Sequence, residues 1–385
     1  MLFLALSPTV EAGYVVSVGD PIEMNPWGTF HRTAPNGEDG WLYMIGTGGN
    51  WYVVETDNQH QSTVQGDYVV PDFDLMVDRG LASCPNGDWL LAGSGNLEAH
   101  NDTLWVWRLD ADWNVIGEST LLEAANGVAT NDMAVICSSF FSGVGVVDME
   151  GGGHGTVQVY EVDDQAQFVQ THDLGQGLPN VQGSGWAVNE ADQQLIMVGA
   201  DIFSGSGLTF TVFDGDMNVV ASHAAEVATS PSNATVYWPQ GLMRAGDLYV
   251  VAHLAYDPAD LEGEPPGNVY LQFYDQDFQL LGGEQVSFYE PPEAASRPGF
   301  ARRGEQMVVT WDAQNVPYLV DVELDLTGAN LPGDSAEPNA SDDPSDPADD
   351  SGEGGGGGCG GCSSAGGGLA LLWWAGLLGV TRRRL

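Results

Sequence analysis

The segment Trp105–Ile116 reads Trp-Val-Trp-Arg-Leu-Asp-Ala-Asp-Trp-Asn-Val-Ile, an apolar strand pattern that leads through an aspartate-rich turn into a second strand. Two later segments, Phe210–Val220 and Tyr270–Leu281, repeat this order. Alternating apolar residues are typical of β-strands, and Asp and Asn favour tight turns because their side chains bind nearby backbone N–H groups. The three segments therefore indicate a repeated strand–turn–strand unit.

The aspartate that opens each turn recurs along the whole middle of the chain. Weaker copies of the preceding strand extend the series to Asp57, Asp110, Asp163, Asp214, Asp275 and Asp325, at intervals of about 50 to 60 residues. Two further apolar strands precede most of these aspartates, and turns such as Pro85–Asp88 join them. Each repeat therefore contains about four strands.

Six repeats of four strands predict an all-β fold, a six-bladed β-propeller spanning residues 13–328. The N-terminal strand Tyr14–Val18 has no blade before it. We expect it to pair with Tyr318–Leu324 and so to complete the last blade, which would remove an open sheet edge. A pair of β-sandwiches is the alternative fold.

The charge of the chain limits its partners. The formal net charge is −44, and the chain contains ten arginines and no lysine. Such a surface repels phosphate backbones, so we expect no nucleic-acid binding, and it also repels anionic lipid. The acidic surface either is ordinary solvated surface or collects cations. We expect a monomer that meets an unidentified extracellular ligand.

The N-terminus suggests export. Leu2–Leu6 is apolar, and Val10 and Ala12 stand at the −3 and −1 positions of a signal-peptidase site. The segment is short and has no basic residue, so residues 1–12 are interpreted as a signal peptide that has lost its beginning. An ordinary flexible N-terminus is the alternative.

The C-terminus has three consecutive parts. Residues 329–358 form an acidic linker rich in Gly, Pro and Ser, with no apolar residues to seed a core, so we expect disorder. Residues 359–385 contain Cys359 and Cys362, the apolar run Leu369–Val380 and the cluster Arg382–Arg384. The run predicts a short hydrophobic helix of about 18 Å, too short for a durable span. Arginines after it would stay cytoplasmic and leave the rest outside.

This order of linker, Gly-Cys cluster, apolar helix and arginine cluster resembles the MYXO-CTERM sorting signal of myxobacterial surface proteins. The resemblance covers only the end of the chain, and the two glycines between the cysteines depart from the tightest form of the motif. It implies cleavage near Cys359 or Cys362, a lipid anchor on that cysteine, the membrane sorting machinery as a partner, and a place at the cell surface or outer membrane. A zinc or redox Cys-x-x-Cys is the alternative, but no second ligand pair accompanies it.

Two of the repeated turns are candidate calcium sites. Asp110, Asp112 and Asn114 place oxygen ligands at alternate positions, and so do Asp214, Asp216 and Asn218. However, Val115 or Val219 stands where a calcium loop needs glycine. Capping of the turn by the aspartate side chain is the alternative.

The loops after the second strand of each blade should open on one face of the ring. They are expected to carry Glu98, His100, Asp102, Asp148, His154, Asp201, His253, Asp257 and Asp312. The binding candidates among them are Asp148, Asp201, His253, Asp257 and Asp312, because carboxylates with imidazoles can bind a divalent metal or perform acid–base chemistry. No regular spacing links them, so solvated loops are the alternative.

The other two cysteines, Cys84 and Cys137, lie at the same distance before the aspartates of their repeats. They therefore occupy equivalent places in the inner strands of adjacent blades. An exported protein allows a disulfide between them if their Cα atoms approach within about 7 Å. Two small buried apolar residues are the alternative.

Motifs of common enzymes are missing. The chain has no Gly-x-Ser-x-Gly, P-loop or His-Glu-x-x-His motif. Pro85–Trp89 resembles the Asp box of sialidase propellers only in part, since Ser and Asp are missing at their places, so no catalytic residue is carried over. We therefore expect a surface-displayed, non-catalytic propeller that binds a ligand. The alternatives are a secreted metal-assisted hydrolase or lyase using the acidic loop face, and a structural surface-coat protein.

Overall fold

The computed structural model describes residues 14–24, 29–36, 40–47, 50–64, 76–96, 102–122, 130–148, 156–174, 181–201, 207–229, 235–256, 267–288, 295–313 and 316–327. All of them belong to one compact unit, Met1–Ser335. They form 25 strands, β1 to β25, arranged in six antiparallel sheets.

The first three blades follow the predicted repeat. Blade 1 consists of β3 (Thr29–Asn36), β4 (Gly40–Thr47), β5 (Asn50–Asp57) and β6 (Ser62–Val64). Blade 2 consists of β7 (Met76–Ser83), β8 (Trp89–Asn96), β9 (Asp102–Leu109) and β10 (Val115–Leu122). Blade 3 consists of β11 (Thr130–Cys137), β12 (Ser142–Asp148), β13 (Thr156–Val162) and β14 (Phe168–Asp173).

The last three blades close the ring. Blade 4 consists of β15 (Val181–Asn189), β16 (Gln194–Asp201), β17 (Leu208–Phe213) and β18 (Val219–Ala225). Blade 5 consists of β19 (Thr235–Ala245), β20 (Leu248–Tyr256), β21 (Asn268–Tyr274) and β22 (Leu280–Gln285). Blade 6 consists of β23 (Ala295–Arg303), β24 (Gln306–Ala313) and β25 (Val316–Leu324), to which β1 (Val15–Val18) and β2 (Ile22–Glu23) add at the outer edge.

This arrangement confirms the six-bladed β-propeller and excludes the pair of sandwiches. The predicted closure is also present, since Val15 pairs with Leu324 and Val18 pairs with Val322. The first strand of every blade contacts the first strand of the next, and β23 contacts β3, so the six inner strands form a closed ring. Closure gives the last blade its fourth, outer strand and covers the edge of β25.

The apolar residues form one core between each pair of neighbouring blades. Six clusters of buried side chains correspond to the six interfaces, and the cluster between blades 6 and 1 contains Trp41, Tyr43 and Val308. A blade is covered on both sheet faces, which explains why β4 is an unbroken apolar run rather than an alternating one. Full burial of one such large side chain stabilises the fold by about 1.5–3 kcal/mol.

The antiparallel order gives the ring two different faces. The connections between first and second strands and between third and fourth strands lie on one side, which we call the turn face. The other connections lie on the opposite side, the loop face. Both chain ends of the described propeller are on the turn face, where the Asp325 amide donates to the Tyr14 carbonyl at 2.8 Å.

Each aspartate turn on the turn face also places one side chain in the interface with the preceding blade. The residue three positions after the aspartate has a positive φ in blades 1 to 5, as His60, Trp113, Ala166, Met217 and Phe278. Four of these pack into the apolar cluster shared with the preceding blade. The fifth, His60, places its Nε2 2.9 Å from Asp321 of blade 6. The left-handed backbone of this residue is tolerated because its side chain is held by packing between the two blades.

The predictions for the two ends of the chain lie outside the described residues. They are the signal peptide over 1–12, the acidic linker over 329–358, the segment 359–385 with its short helix, and the cysteines Cys359 and Cys362. Within the part of the chain that the structure describes, no helix is long and apolar enough to cross a membrane.

Candidate functional site

Of the binding candidates that the sequence nominated on the loop face, the structure describes the side chains of His253 and Asp312. Asp148 ends β12 and Asp201 ends β16, so their backbones lie at that face. Asp257 lies outside the described residues, as do Glu98, His100 and His154. His253 and Asp312 were expected on loops, and this expectation is wrong, because both lie within strands and are buried.

His253 is a packed core residue in the second strand of blade 5. Its side chain is fully buried, and its ring stacks on Tyr270 with the ring centroids 5.8 Å apart. Nδ1 donates to the Leu254 carbonyl at 3.0 Å, which leaves Nε2 as an acceptor without a partner. Burial lowers the pKa of His253 to about 4, since the charged imidazolium cannot be solvated there. The ring is therefore neutral and does not reach the loops.

Asp312 is held in an ion pair at the inner edge of blade 6. Its carboxylate is almost completely buried and lies 3.5 Å from the Arg297 guanidinium, which is partly exposed. Arg297 adopts a positive φ of 50° at a register shift in β23. Removing one partner of such a pair leaves an uncompensated buried charge, so we assign this pair a structural role.

The calcium candidates are occupied by hydrogen bonds of the turn itself. Oδ1 of Asp110 accepts the backbone N–H groups of Asp112 and Asn114 at 2.9 and 2.8 Å, and Asn114 Nδ2 also donates to the Asp110 carboxylate. Asp214 holds Asp216 and Asn218 in the same way. The Asn amide nitrogen, not its oxygen, faces the carboxylate, which is the wrong polarity for a shared cation.

The same backbone pattern occurs in all five complete turns. Asp57, Asp163 and Asp275 also accept two backbone N–H groups each, at 2.8 to 2.9 Å. Hydrogen bonds from Asn114 and Asn218 lower the pKa values of Asp110 and Asp214. Among the described residues, no group of three or more His, Cys, Asp or Glu side chains is placed to hold a metal ion. The geometry supports turn capping.

Cys84 and Cys137 form a disulfide between blades 2 and 3, with Cα atoms 5.0 Å apart. Cys84 follows β7 directly and Cys137 ends β11, so the bond joins two inner strands at the turn face. Next to it, Arg108 donates to Asp88 and Asn86 at 3.2 Å. The partial Asp-box turn Pro85–Asp88 therefore positions an arginine inside the fold.

A central cavity of about 400 Å³ lies inside the ring of inner strands. Each inner strand contributes three consecutive residues, from Thr33–Pro35, Leu81–Ser83, Val135–Cys137, Trp186–Val188, Leu242–Arg244 and Phe300–Arg302. The volume is within the range of pockets that bind small molecules. Most of the lining residues have apolar side chains, but polar atoms make up about half of the exposed wall. The described residues that line the cavity include no Asp or Glu, although the chain carries 54 of them, and Arg244 and Arg302 are the charged residues among them.

Arg244 and Arg302 occupy matching positions on neighbouring inner strands. Each is the penultimate residue of its strand, in β19 and β23. Arg244 Nη1 donates to Asn189 Oδ1 at 2.7 Å, while its Nε is buried without a hydrogen-bond partner. Arg302 Nη1 donates to the Gly304 carbonyl at 2.6 Å, and burial lowers the pKa of the Arg302 guanidinium. Among the described residues, neither forms an ion pair with a carboxylate.

Sequence reasoning missed these two arginines, but a signal for them was present. Outside the C-terminal cluster the chain has only seven arginines. Six of them, Arg32, Arg79, Arg244, Arg297, Arg302 and Arg303, lie in inner strands. In so acidic a chain, the concentration of cations in the first strand of several repeats distinguishes those strands from the rest of the fold.

Comparison with known proteins supports the fold alone. No protein-family model matches the chain, and no curated protein matches its sequence. A protein of unknown function from Dyadobacter fermentans is similar in structure, with a TM-score of 0.55 and 10% identity over 81% of this chain and 100% of that one. A subtype N10 neuraminidase-like protein of A/little yellow-shouldered bat/Guatemala has a TM-score of 0.49 and 11% identity over 81% and 99% of the two chains.

Proposed function

We propose that this protein is a non-catalytic binding module, exported and displayed at the cell surface through its C-terminal segment, whose small-molecule ligand binds in the central cavity. The observation that carries the proposal is the cavity itself, which all six blades line with mostly apolar side chains and with two arginines. The inner strands that form these walls contact one another in a closed ring, so little ordering should be required on binding.

The disulfide supports the export part of the proposal. Disulfides persist in oxidising compartments and are rare in the cytosol. The arrangement of the C-terminal segment, with cysteines before an apolar run and a basic cluster after it, supports display at the membrane. The very acidic surface suits solubility outside the cell.

Binding is tested by blocking the cavity. Ala82 lines it and is half-buried, so Ala82→Trp should fill part of the volume, whereas Ala224→Trp on the exposed outer strand β18 is the matched control. We expect that some small molecules raise the melting temperature of the wild type and of the control. The same molecules should not raise the melting temperature of Ala82→Trp. The proposal fails if no compound raises the melting temperature, or if every active compound still acts on Ala82→Trp.

Export is tested separately on protein recovered from the native cell surface. Intact mass and N-terminal sequencing should give a chain that begins near Gly13 and ends near Cys359 or Cys362. A chain that retains Arg382–Arg384 and is found inside the cell would overturn display and leave the binding result standing.

A further inference from the structure

The central cavity is lined by the edges of the inner strands. Side chains alternate between the two faces of a strand, so a wall made of one face would take every second residue from each strand. Instead, every inner strand contributes three consecutive residues, Thr33–Pro35 in β3 and the equivalent segments of the other five blades. Each of these strands is also the last member of its sheet and pairs only with the second strand of its blade. The cavity therefore faces six strand edges that are unpaired among the described residues.

Prolines in the inner strands agree with this arrangement. Proline has no backbone N–H group, so within sheets it is confined to edge strands, strand starts and bulges. Pro239 and Pro298 lie at the register shifts of β19 and β23. Pro35 lies at the cavity in a regularly paired part of β3, so its ring nitrogen must face the unpaired edge.

The unpaired edges supply the cavity with both hydrogen-bond donors and hydrogen-bond acceptors. In an antiparallel pair, the N–H and C=O groups of successive residues point alternately towards the partner strand and away from it. All six lining segments pair regularly with their second strands, so at least one residue in each segment directs both groups towards the cavity. This explains why polar atoms make up about half of the exposed wall although most lining side chains are apolar.

The two arginines of the wall are not directed at a common point. Arg244 Nη1 donates to Asn189 Oδ1, and Arg302 Nη1 donates to the Gly304 carbonyl. Asn189 ends β15 and Gly304 lies between β23 and β24, so both guanidinium groups are held at hairpins of the turn face. The other described residues that line the cavity are uncharged.

A wall of this kind matches hydroxyl groups. Buried backbone groups need partners, and a ligand that displaces water from them must replace the hydrogen bonds of both the N–H and the C=O groups. A hydroxyl group donates and accepts, whereas a carboxylate only accepts and an ammonium group only donates. Trp186 and Phe300 are partly exposed and add apolar surface for the carbon atoms of a ring. The volume of about 400 Å³ is sufficient for a small ring compound.

We infer that the central cavity binds a small neutral polyhydroxyl compound, a sugar or a cyclic polyol. Its hydroxyl groups bind the unpaired backbone N–H and C=O groups of the inner strands, and its ring carbons lie against the apolar side chains, Trp186 among them. This inference rests on the proposed function, since it names the class of ligand for the same cavity.

The test is calorimetric titration of the full chain with D-glucose, D-galactose, D-mannose, L-arabinose and myo-inositol at fixed ionic strength. We expect at least one of these compounds to bind. Its deoxy analogue, which lacks one hydroxyl group, should bind about tenfold more weakly, because a backbone group in the wall then loses its partner. The uronate of a sugar that binds should also bind more weakly, because its charge is left without a counter-charge in the cavity.

Two pairs of variants locate the binding. Ala82→Trp fills part of the cavity and should abolish the titration, whereas Ala224→Trp on β18 should not. Trp186 is the one tryptophan among the described residues that line the cavity, so the ligand should change the fluorescence of the wild type and not that of Trp186→Phe. Trp105→Phe, on β9, is the control and should retain the change. If Ala82→Trp lacks the near-ultraviolet circular dichroism of the wild type, the fluorescence pair decides.

Three results would overturn the inference. They are no binding by any of the five compounds, equal binding of a compound and its deoxy analogue, and equal binding of a compound to Ala82→Trp and to the wild type. The proposed function survives each of them if compounds of another class raise the melting temperature of the wild type and not that of Ala82→Trp. It fails only if no compound of any class does so.

Discussion

The disulfide between Cys84 and Cys137 should be the largest single covalent contribution to the stability of the propeller. The two cysteines are separated by 53 residues in sequence and join adjacent blades. Cross-linking a loop of this length removes entropy from the unfolded chain equivalent to about 4 kcal/mol at 25 °C. The perturbation is the double substitution Cys84→Ala and Cys137→Ala, which keeps both positions apolar and removes the bond together with its two sulfur atoms.

We expect this double variant to lose about 4 kcal/mol of unfolding free energy, or somewhat less if the reduced unfolded chain retains structure. The assay is urea unfolding followed by tryptophan fluorescence, with similar denaturant slopes required for the comparison. The matched control replaces Cys359 and Cys362 by Ala, since these lie outside the propeller, and should unfold like the wild type.

The same control chain allows a direct check of the bond. In denaturant without reductant it should show no titratable thiol, and reductant should lower its stability to that of the double variant. Two free thiols, or a stability difference below about 1 kcal/mol, would refute the argument that the bond restricts the unfolded chain across blades 2 and 3.

Three further predictions concern pH and ring closure. The pKa of the Asp110 carboxyl is lowered by hydrogen bonds from Asn114, so the carboxylate stabilises the fold fully above its unfolded pKa of 3.8, and this stabilisation is lost as pH falls through the folded pKa. Asp110→Asn should therefore lower the urea midpoint more at pH 5 than at pH 3. An equal loss at both pH values would contradict the capping role. The pKa of His253 is lowered from 6.5 to about 4, so its contribution of about 3 kcal/mol is complete above pH 6.5 and is lost as pH falls towards 4. His253→Leu should flatten the pH dependence of urea unfolding over this range, whereas replacement of the exposed His223 by Gln should not; an unchanged slope in His253→Leu would reject the assignment. Deletion of residues 1–13 should leave a monomer, while deletion of 1–18 removes β1, exposes the edge of β25 and should cause association in size-exclusion chromatography; a monomeric shorter chain would show that β1 is dispensable.

The propeller could be predicted because its signals are local and repeated. An aspartate turn needs only a short stretch of chain, since Asp110 caps the N–H groups of Asp112 and Asn114 within the same loop. Six such turns at a regular interval therefore indicate six blades. The pairing of Tyr14–Val18 with the last blade followed from the need to cover an open edge, and the structure places Val15 opposite Leu324.

The candidate site could not be predicted in the same way. His253 looked like a loop residue because its strand was expected to end earlier, whereas β20 continues to Tyr256 and buries the ring. Asp312 was also assigned to a loop, and its burial depends on Arg297 reaching it from the preceding strand. Burial is decided by what packs on a strand from another blade, and periodicity in one segment does not contain that information.

The amino-acid sequence alone determined the fold class, the number of blades, the closing strand and the acidic character of the surface, because each depends on local pattern or on composition. It also placed Cys84 and Cys137 at equivalent positions, although the bond required the approach of two blades to 5.0 Å. Only the tertiary structure decided that Arg244 and Arg302, 58 positions apart in the printed sequence, line one central cavity to which every blade contributes. The physical reason is that a cavity wall is assembled from one strand of every repeat, so its chemistry arises only when the ring closes.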